Sequence, residues 1–299
     1  MKKPPSRLTA IVLGFAVAFI WSTSWVLIKI GLKDIPSLTF AGLRYFVGFL
    51  CLVPFLLDTK VRAQIKGFSR AVWVLVILMG VVTYFIAQGA QFISLDYLPA
   101  TTLSLILNLT SLFVTFTAIF MIKESPNWVQ WLGLAINLLG VIIFFYPDGF
   151  QGSSPVGFIF ALLCLAANVF GTLIGRKVNK AGRVNPLPVT LVSMGIGSVL
   201  MLVTGISFQG LPPLSTESIV IILILGIVNT AFTFTIWNYT LQVLSAMESS
   251  IINGTMMVWI AILAWLFLGE RQGLAGIIGL VLSFVGAVIV NLRNEKKPA

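Results

Sequence analysis

The stretch Gly80-Val-Val-Thr-Tyr84-Phe-Ile-Ala-Gln88-Gly-Ala-Gln91-Phe-Ile-Ser-Leu95-Asp-Tyr-Leu98-Pro99-Ala100 returns, weakened, as Gly226-Ile-Val-Asn-Thr230-Ala-Phe-Thr-Phe234-Thr-Ile-Trp237-Asn-Tyr-Thr-Leu241-Gln-Val-Leu244-Ser245-Ala246. Extended to residue 145 without a gap, the same alignment pairs Glu124 with Glu270, Gly133 with Gly279, Gly140 with Gly286 and Ile143 with Ile289. Each pair is 146 positions apart, the difference between 80 and 226. Both copies consist of apolar runs long enough to cross a bilayer, which takes roughly 20 residues. The chain is therefore read as an internally duplicated membrane protein.

Composition supports this. The chain is 58% hydrophobic and 9% charged, with a mean hydropathy of +1.04, whereas a soluble domain carries about a quarter charged residues. Nineteen basic and nine acidic residues give a net charge of +10. The basic residues form short clusters between apolar runs, so they report membrane topology rather than a nucleic-acid surface. There is no histidine, which removes the commonest general base and transition-metal ligand. Cys51 and Cys164 lie within apolar runs at unmatched positions and suggest neither a disulfide framework nor a metal site.

Ten crossings are expected, at 8–31, 37–57, 71–94, 98–122, 127–146, 155–175, 186–207, 216–240, 245–268 and 272–292. Breakers and charges separate them, among them Asp34-Ile-Pro36, Asp58 to Arg70, Lys123-Glu-Ser-Pro126 and Gly269-Glu-Arg-Gln272. The first run is longer than the 7–15 apolar residues of a secretory signal and is kept as a crossing. A cytoplasmic N-terminus puts Lys2, Lys3, Arg7, Lys60, Arg62, Lys66, Arg70, Lys123, Arg176, Lys177, Lys180, Arg183, Arg293, Lys296 and Lys297 inside. Only Lys29, Lys33 and Arg271 then face outside, so both termini are expected in the cytoplasm. Five crossings per copy is an odd number, so the second copy enters from the opposite face. The expected fold is an all-α polytopic membrane protein of ten transmembrane helices in two inverted five-helix repeats, 1–150 and 151–299. Such repeats enclose a site near the membrane midplane.

Several motifs stand in a telling order: Trp21-Ser-Thr-Ser-Trp25-Val-Leu-Ile-Lys29, Leu43-Arg44-Tyr45, Asp96-Tyr97-Leu98-Pro99-Ala100, Lys123-Glu124 and Gly269-Glu270. With the duplication, they make the chain resemble the drug/metabolite transporter (DMT) superfamily, specifically its EamA-type ten-helix members. The resemblance implies a multi-pass carrier of the plasma membrane (a bacterial or archaeal cell inner membrane), often an exporter of amino acids or related metabolites, with a central cavity. The second copy departs from the first in two places. Ser245-Ala246 replaces Pro99-Ala100, and no arginine answers Arg44.

Polar groups in hydrocarbon are costly unless paired or facing water, so polar stripes at helical spacing mark the candidate lining. Thr101, Ser104, Asn108, Ser111 and Thr115 share one face of the fourth span. In the ninth span the matching face holds Met247, Ser250, Gly254, Met257 and Ala261, with Asn253 beside it. The third span offers Tyr84, Gln88 and Gln91, answered in the eighth by Thr230, Phe234 and Trp237. Trp21, Ser24 and Trp25 of the first span and Asn168 of the sixth complete the substrate-binding set. Amides and hydroxyls can bond both ends of a zwitterion while rings cover its apolar part or a cation. Alternatively, the same hydroxyls and amides simply bond helix to helix, at about 0.6 kcal/mol each.

Two charged residues are candidates for coupling or gating, Arg44 within the second span and Glu248 at the start of the ninth. Arg44 either binds a substrate carboxylate or serves as a structural pin, capping carbonyls and snorkelling. The peripheral place of the second span in the family favours the pin. Glu248 is either a proton carrier or a carboxylate stabilised by a helix N-terminus. Glu124 and Glu270 read as caps or gate hinges. The glycines at 133, 140, 276, 279 and 286 read as close helix packing within the chain or as a dimer interface.

The leading expectation is a secondary transporter working by alternating access on small amphipathic metabolites, with no cofactor and with the bilayer and a small solute as partners. It would be a monomer or a homodimer. A facilitator or exchanger of other solutes such as drugs or sugars is the alternative within the class. A channel would need a charged ring or carbonyl filter, and an intramembrane enzyme a nucleophile–base pair or metal cluster. The sequence displays none of these, nor a GxxxxGK[ST] loop for using ATP.

Overall fold

The computed structural model describes residues 5–110, 112–114, 117, 128–146, 154–180, 186–240, 243–244 and 252–291. Ser111, Thr115, Glu124, Met247, Glu248 and Ser250 lie outside them. All the regular structure among the described residues is helical. The helices are α1 (Arg7–Gly31), α2 (Ser37–Leu52), α3 (Thr59–Lys66), α4 (Arg70–Met79), α5 (Gln88–Tyr97), α6 (Ala100–Asn108) and α7 (Trp128–Phe145). The second half holds α8 (Pro155–Lys180), α9 (Pro186–Gln209), α10 (Thr216–Leu223), α11 (Thr233–Thr240), α12 (Met256–Leu268) and α13 (Leu274–Asn291). Six described helical stretches are long and apolar enough to cross a membrane, and four shorter apolar ones complete ten. These ten fall on the ten expected crossings.

Helix ends follow local chemistry. Asp58, Ser69 and Ser215 cap α3, α4 and α10, their side chains accepting from the backbone N–H of Lys60, Val72 and Ser218. Gly269 closes α12 at φ +69°, the left-handed region that glycine enters without a Cβ penalty. Along α1, Leu8, Val12, Phe15 and Phe19 recur at helical spacing and are all exposed. An uncovered apolar stripe of this kind suits hydrocarbon, not water.

The third and eighth spans depart from the regular helices expected of them. Each is interrupted by a π-helical stretch, Gly80–Ala87 and Ile224–Phe232, at matched positions of the two copies. Close packing accompanies both. A Cβ on Gly80 would meet the Ser193 carbonyl oxygen at 2.7 Å, and one on Gly226 would meet the Arg44 carbonyl oxygen at 3.1 Å. In the second copy the Thr230 hydroxyl donates to the Leu225 carbonyl five residues back, at 2.8 Å.

The chain forms two compact units, each drawing helices from both halves of the sequence. One comprises Met1–Val26, Pro99–Ser153 and Thr233–Ala299; the other Leu27–Leu98 and Ser154–Phe232. Within the first, α7 packs along α13 through glycines. A Cβ on Gly140 would strike Ser283 and Gly279, and one on Gly286 would strike Asn137 and Gly133. The Asn137 side-chain amide donates to the Ser283 carbonyl at 2.9 Å. Asn137 and Ser283 are themselves repeat mates, as are Gly140 and Gly286, and Gly133 and Gly279. Contacts exchanged reciprocally between mates are the mark of a two-fold relation. Because position rises along α7 as it falls along α13, the two helices are antiparallel. The fifth and tenth spans therefore run in opposite directions, as inversion requires.

Candidate functional site

In the unit formed by 27–98 and 154–232, candidate residues gather around α2, α5 and the π-helical stretch before α5. The Tyr45 hydroxyl donates to Gln88 Oε1 at 2.6 Å, and the Tyr45 and Tyr84 rings meet edge-on at 5.9 Å. Arg44 sits beside them with its guanidinium carbon 5.1 Å from the Tyr45 ring centre and 5.8 Å from that of Phe92. The Phe40 and Phe92 rings meet edge-on, with centres 5.2 Å apart. Arg44 is only 6% exposed, and its Nε has no hydrogen-bond partner. Gln91 is buried one turn from Gln88 on the same helix. Arginine at the centre of a membrane helix costs about 2.5–3.5 kcal/mol on insertion scales, of which a desolvated ring contact returns about 2.

The other candidates of this unit are bonded locally. The Asn168 amide donates to the Cys164 carbonyl at 2.9 Å, and its own backbone carbonyl accepts from the hydroxyl of Thr172, one turn on, at 2.8 Å. Thr230 is taken up by Leu225.

In the unit formed by 1–26, 99–153 and 233–299, three rings meet. Trp21 lies 5.2 Å from Phe234 and 5.4 Å from Trp237, tilted to both. All three are half-buried. Trp25 is buried, and the Ser24 hydroxyl donates to the Trp21 carbonyl at 2.5 Å. On α6, Ser104 donates to the Thr101 carbonyl at 2.8 Å, and the Asn108 amide to Ser283 Oγ at 3.0 Å. Asn253 is exposed. Ser111, Ser250 and Glu248 are among the residues not described.

Glu270 has a definite role. Its carboxylate accepts from the backbone N–H of Ala100 at 2.7 Å and of Thr101 at 3.1 Å, and from the Thr101 hydroxyl at 2.8 Å. It therefore caps α6, a helix remote in sequence, and Gln272 adds a bond to the Thr101 hydroxyl at 3.0 Å. Tyr45, Phe40 and Phe92 escaped the list of site residues. The available signal was adjacency: Tyr45 follows the one arginine deep in a span.

The chain and its fold find counterparts in known proteins. A model of the EamA-like transporter family matches residues 8–146 and again 155–292. The uncharacterized transporter YvbV of Bacillus subtilis is 27% identical, covering 100% of this chain and 96% of its own. YoaV of the same organism, also an uncharacterized transporter, is 26% identical over 91% of this chain and 92% of its own. An S-adenosylmethionine/S-adenosylhomocysteine transporter of Chlamydia trachomatis is 23% identical, covering 87% of this chain and 82% of its own. A solved crystal structure shares the fold with a TM-score of 0.67 at 19% identity, over 95% of this chain and 96% of that one. Matched once in each half, the chain belongs to the EamA-like transporter family, whose fold is ten helices in two inverted repeats.

Proposed function

We propose that this protein is a secondary transporter that exports small amphipathic metabolites, amino acids or related compounds, across the plasma membrane by alternating access. Its halves 1–150 and 151–299 are the inverted repeats, with both termini in the cytoplasm and a monomer or homodimer as the working form. One observation carries the substrate class. At three matched positions of the π-interrupted spans, the first copy supplies Tyr84, Gln88 and Gln91, and the second Thr230, Phe234 and Trp237. Tyr84 and Gln88 meet Tyr45, while Phe234 and Trp237 meet Trp21. Each grouping stands by itself: the phenol and amide groups in the unit of 27–98 and 154–232 suit the polar ends of a zwitterion, and the ring surface in the unit of 1–26, 99–153 and 233–299 suits an apolar side chain.

S-adenosylmethionine belongs to the same chemical class, joining an amino-acid end to a sulfonium cation and an adenine that rings can cover. It belongs in any substrate panel. The test is counterflow in proteoliposomes with labelled amino acids and S-adenosylmethionine. Saturable uptake driven by internal unlabelled solute is the expected result. A flux linear in concentration, unaffected by solute inside, would rule out a carrier.

A further inference from the structure

Arg44 raises a physical question that packing leaves unanswered. A buried guanidinium ordinarily finds a carboxylate, caps helix carbonyls or extends its head to water. Here the residue is 6% exposed, and no acceptor stands against its Nε. Among the described residues its charge meets the rings of Tyr45 and Phe92, and no carboxylate pairs with it. That is not how a structural pin behaves. Ring faces attract the charge but leave the in-plane N–H donors unused, and those donors match a planar oxyanion.

Two glutamines of α5, the helix that brings Phe92 to Arg44, add to this. The Gln88 oxygen is occupied by the Tyr45 hydroxyl, which leaves its NH2 as the free end. Gln91, one turn further along α5, has no hydrogen bond among the described residues. Amide donors and an arginine on adjoining helices favour an anion.

Resting on the transporter reading above, we propose that Arg44 is the carboxylate anchor of the transported solute, its Nε–Nη edge receiving both oxygens. No covalent step is involved. The buried Nε means that this edge is closed to solvent in the state seen, and the solute reaches it when the surrounding helices part.

Binding of the protein amino acids, their amides and their deaminated acids to purified wild-type protein, R44Q and R44K tests this. Wild type should bind an acid tighter than its amide by roughly tenfold or more, the scale of one charged hydrogen bond. R44Q should erase that ratio without weakening the amide, and R44K should keep part of it. If R44Q does not fold, phenylglyoxal labelling of wild type, read by mass spectrometry at Arg44, decides. Protection by the acid and none by the amide supports the anchor, and labelling alike with both overturns it. Deaminated acids that bind as well as amino acids, through Arg44, uphold the anchor while removing the amino-acid reading. Acid and amide binding alike to wild type and R44Q overturns the anchor and leaves the carrier standing. So does a wild type that binds amides but no acid.

Discussion

Glu270 does for α6 what the residue preceding that helix cannot. Pro99 occupies the N-cap and offers no side-chain acceptor, so the first N–H groups of α6 depend on a carboxylate delivered by the loop after α12. Gly269, turning left-handed, ends α12 just where Glu270 must leave it. E270A should therefore cost about 1–2 kcal/mol, the value of a lost cap, read as a lower melting temperature in detergent. Faster amide exchange confined to Ala100 and Thr101 would locate the damage, and an unchanged melt would refute the assignment. Close packing gives a second test. G140L drives a side chain into the Ser283 backbone, which cannot yield as a flexible side chain would. It should destabilise by about 1–3 kcal/mol through overpacking. A Cβ on Gly175 meets nothing within 4 Å, so G175A should melt no lower than wild type, alanine being the better helix former. Equal effects of the two substitutions would contradict the glycine-mediated α7–α13 contact.

Among the elements, the π-helical stretches matter most, because such turns are rare and recur at functional sites. Finding one in each copy, at matched positions and just before or across the candidate residues, argues against accident. Deleting Val82 removes one residue from the first stretch and lets it relax to an α-helix with both flanks in register. The deletion variant should remain monodisperse yet lose counterflow activity; transport at the wild-type rate would make the turn a packing detail. Neither stretch was legible in the sequence. Apolar periodicity reports that a helix exists and which face is buried, while the wider turn goes with close packing remote in sequence, such as Gly80 against Ser193. The spans themselves were legible, because hydrocarbon thickness imposes their length and charge punctuates them. The candidate site was legible in residue type, not in pairing. Asn108 reads as a cavity amide on its stripe, yet it donates to Ser283, 175 positions away. Gln88 reads as exposed to solute, yet its oxygen already holds the Tyr45 hydroxyl.

For the whole molecule the governing fact is inversion. The sequence implied it by counting five crossings per copy, and the α7–α13 pair supports it independently, since Asn137 bonds its own repeat mate across an antiparallel contact. Inversion has a consequence for charge. If the copies face opposite ways, the basic loop following the second span and the basic stretch following the sixth must emerge on one face, although they occupy different places in their repeats. The first includes α3, with Lys60, Arg62 and Lys66, and the second ends near Arg183. The excess of Lys and Arg there predicts that this face is cytoplasmic, where anionic lipid also favours basic segments. The measurement uses single cysteines at 60 and 183 in a background with Cys51 and Cys164 replaced. A membrane-impermeant maleimide should label both K60C and R183C in inverted vesicles and neither in intact cells. A parallel duplication with an even number of crossings per copy predicts a different pattern, because its two copies enter from the same side. Labelling of K60C and R183C from opposite sides would therefore remove the inverted arrangement.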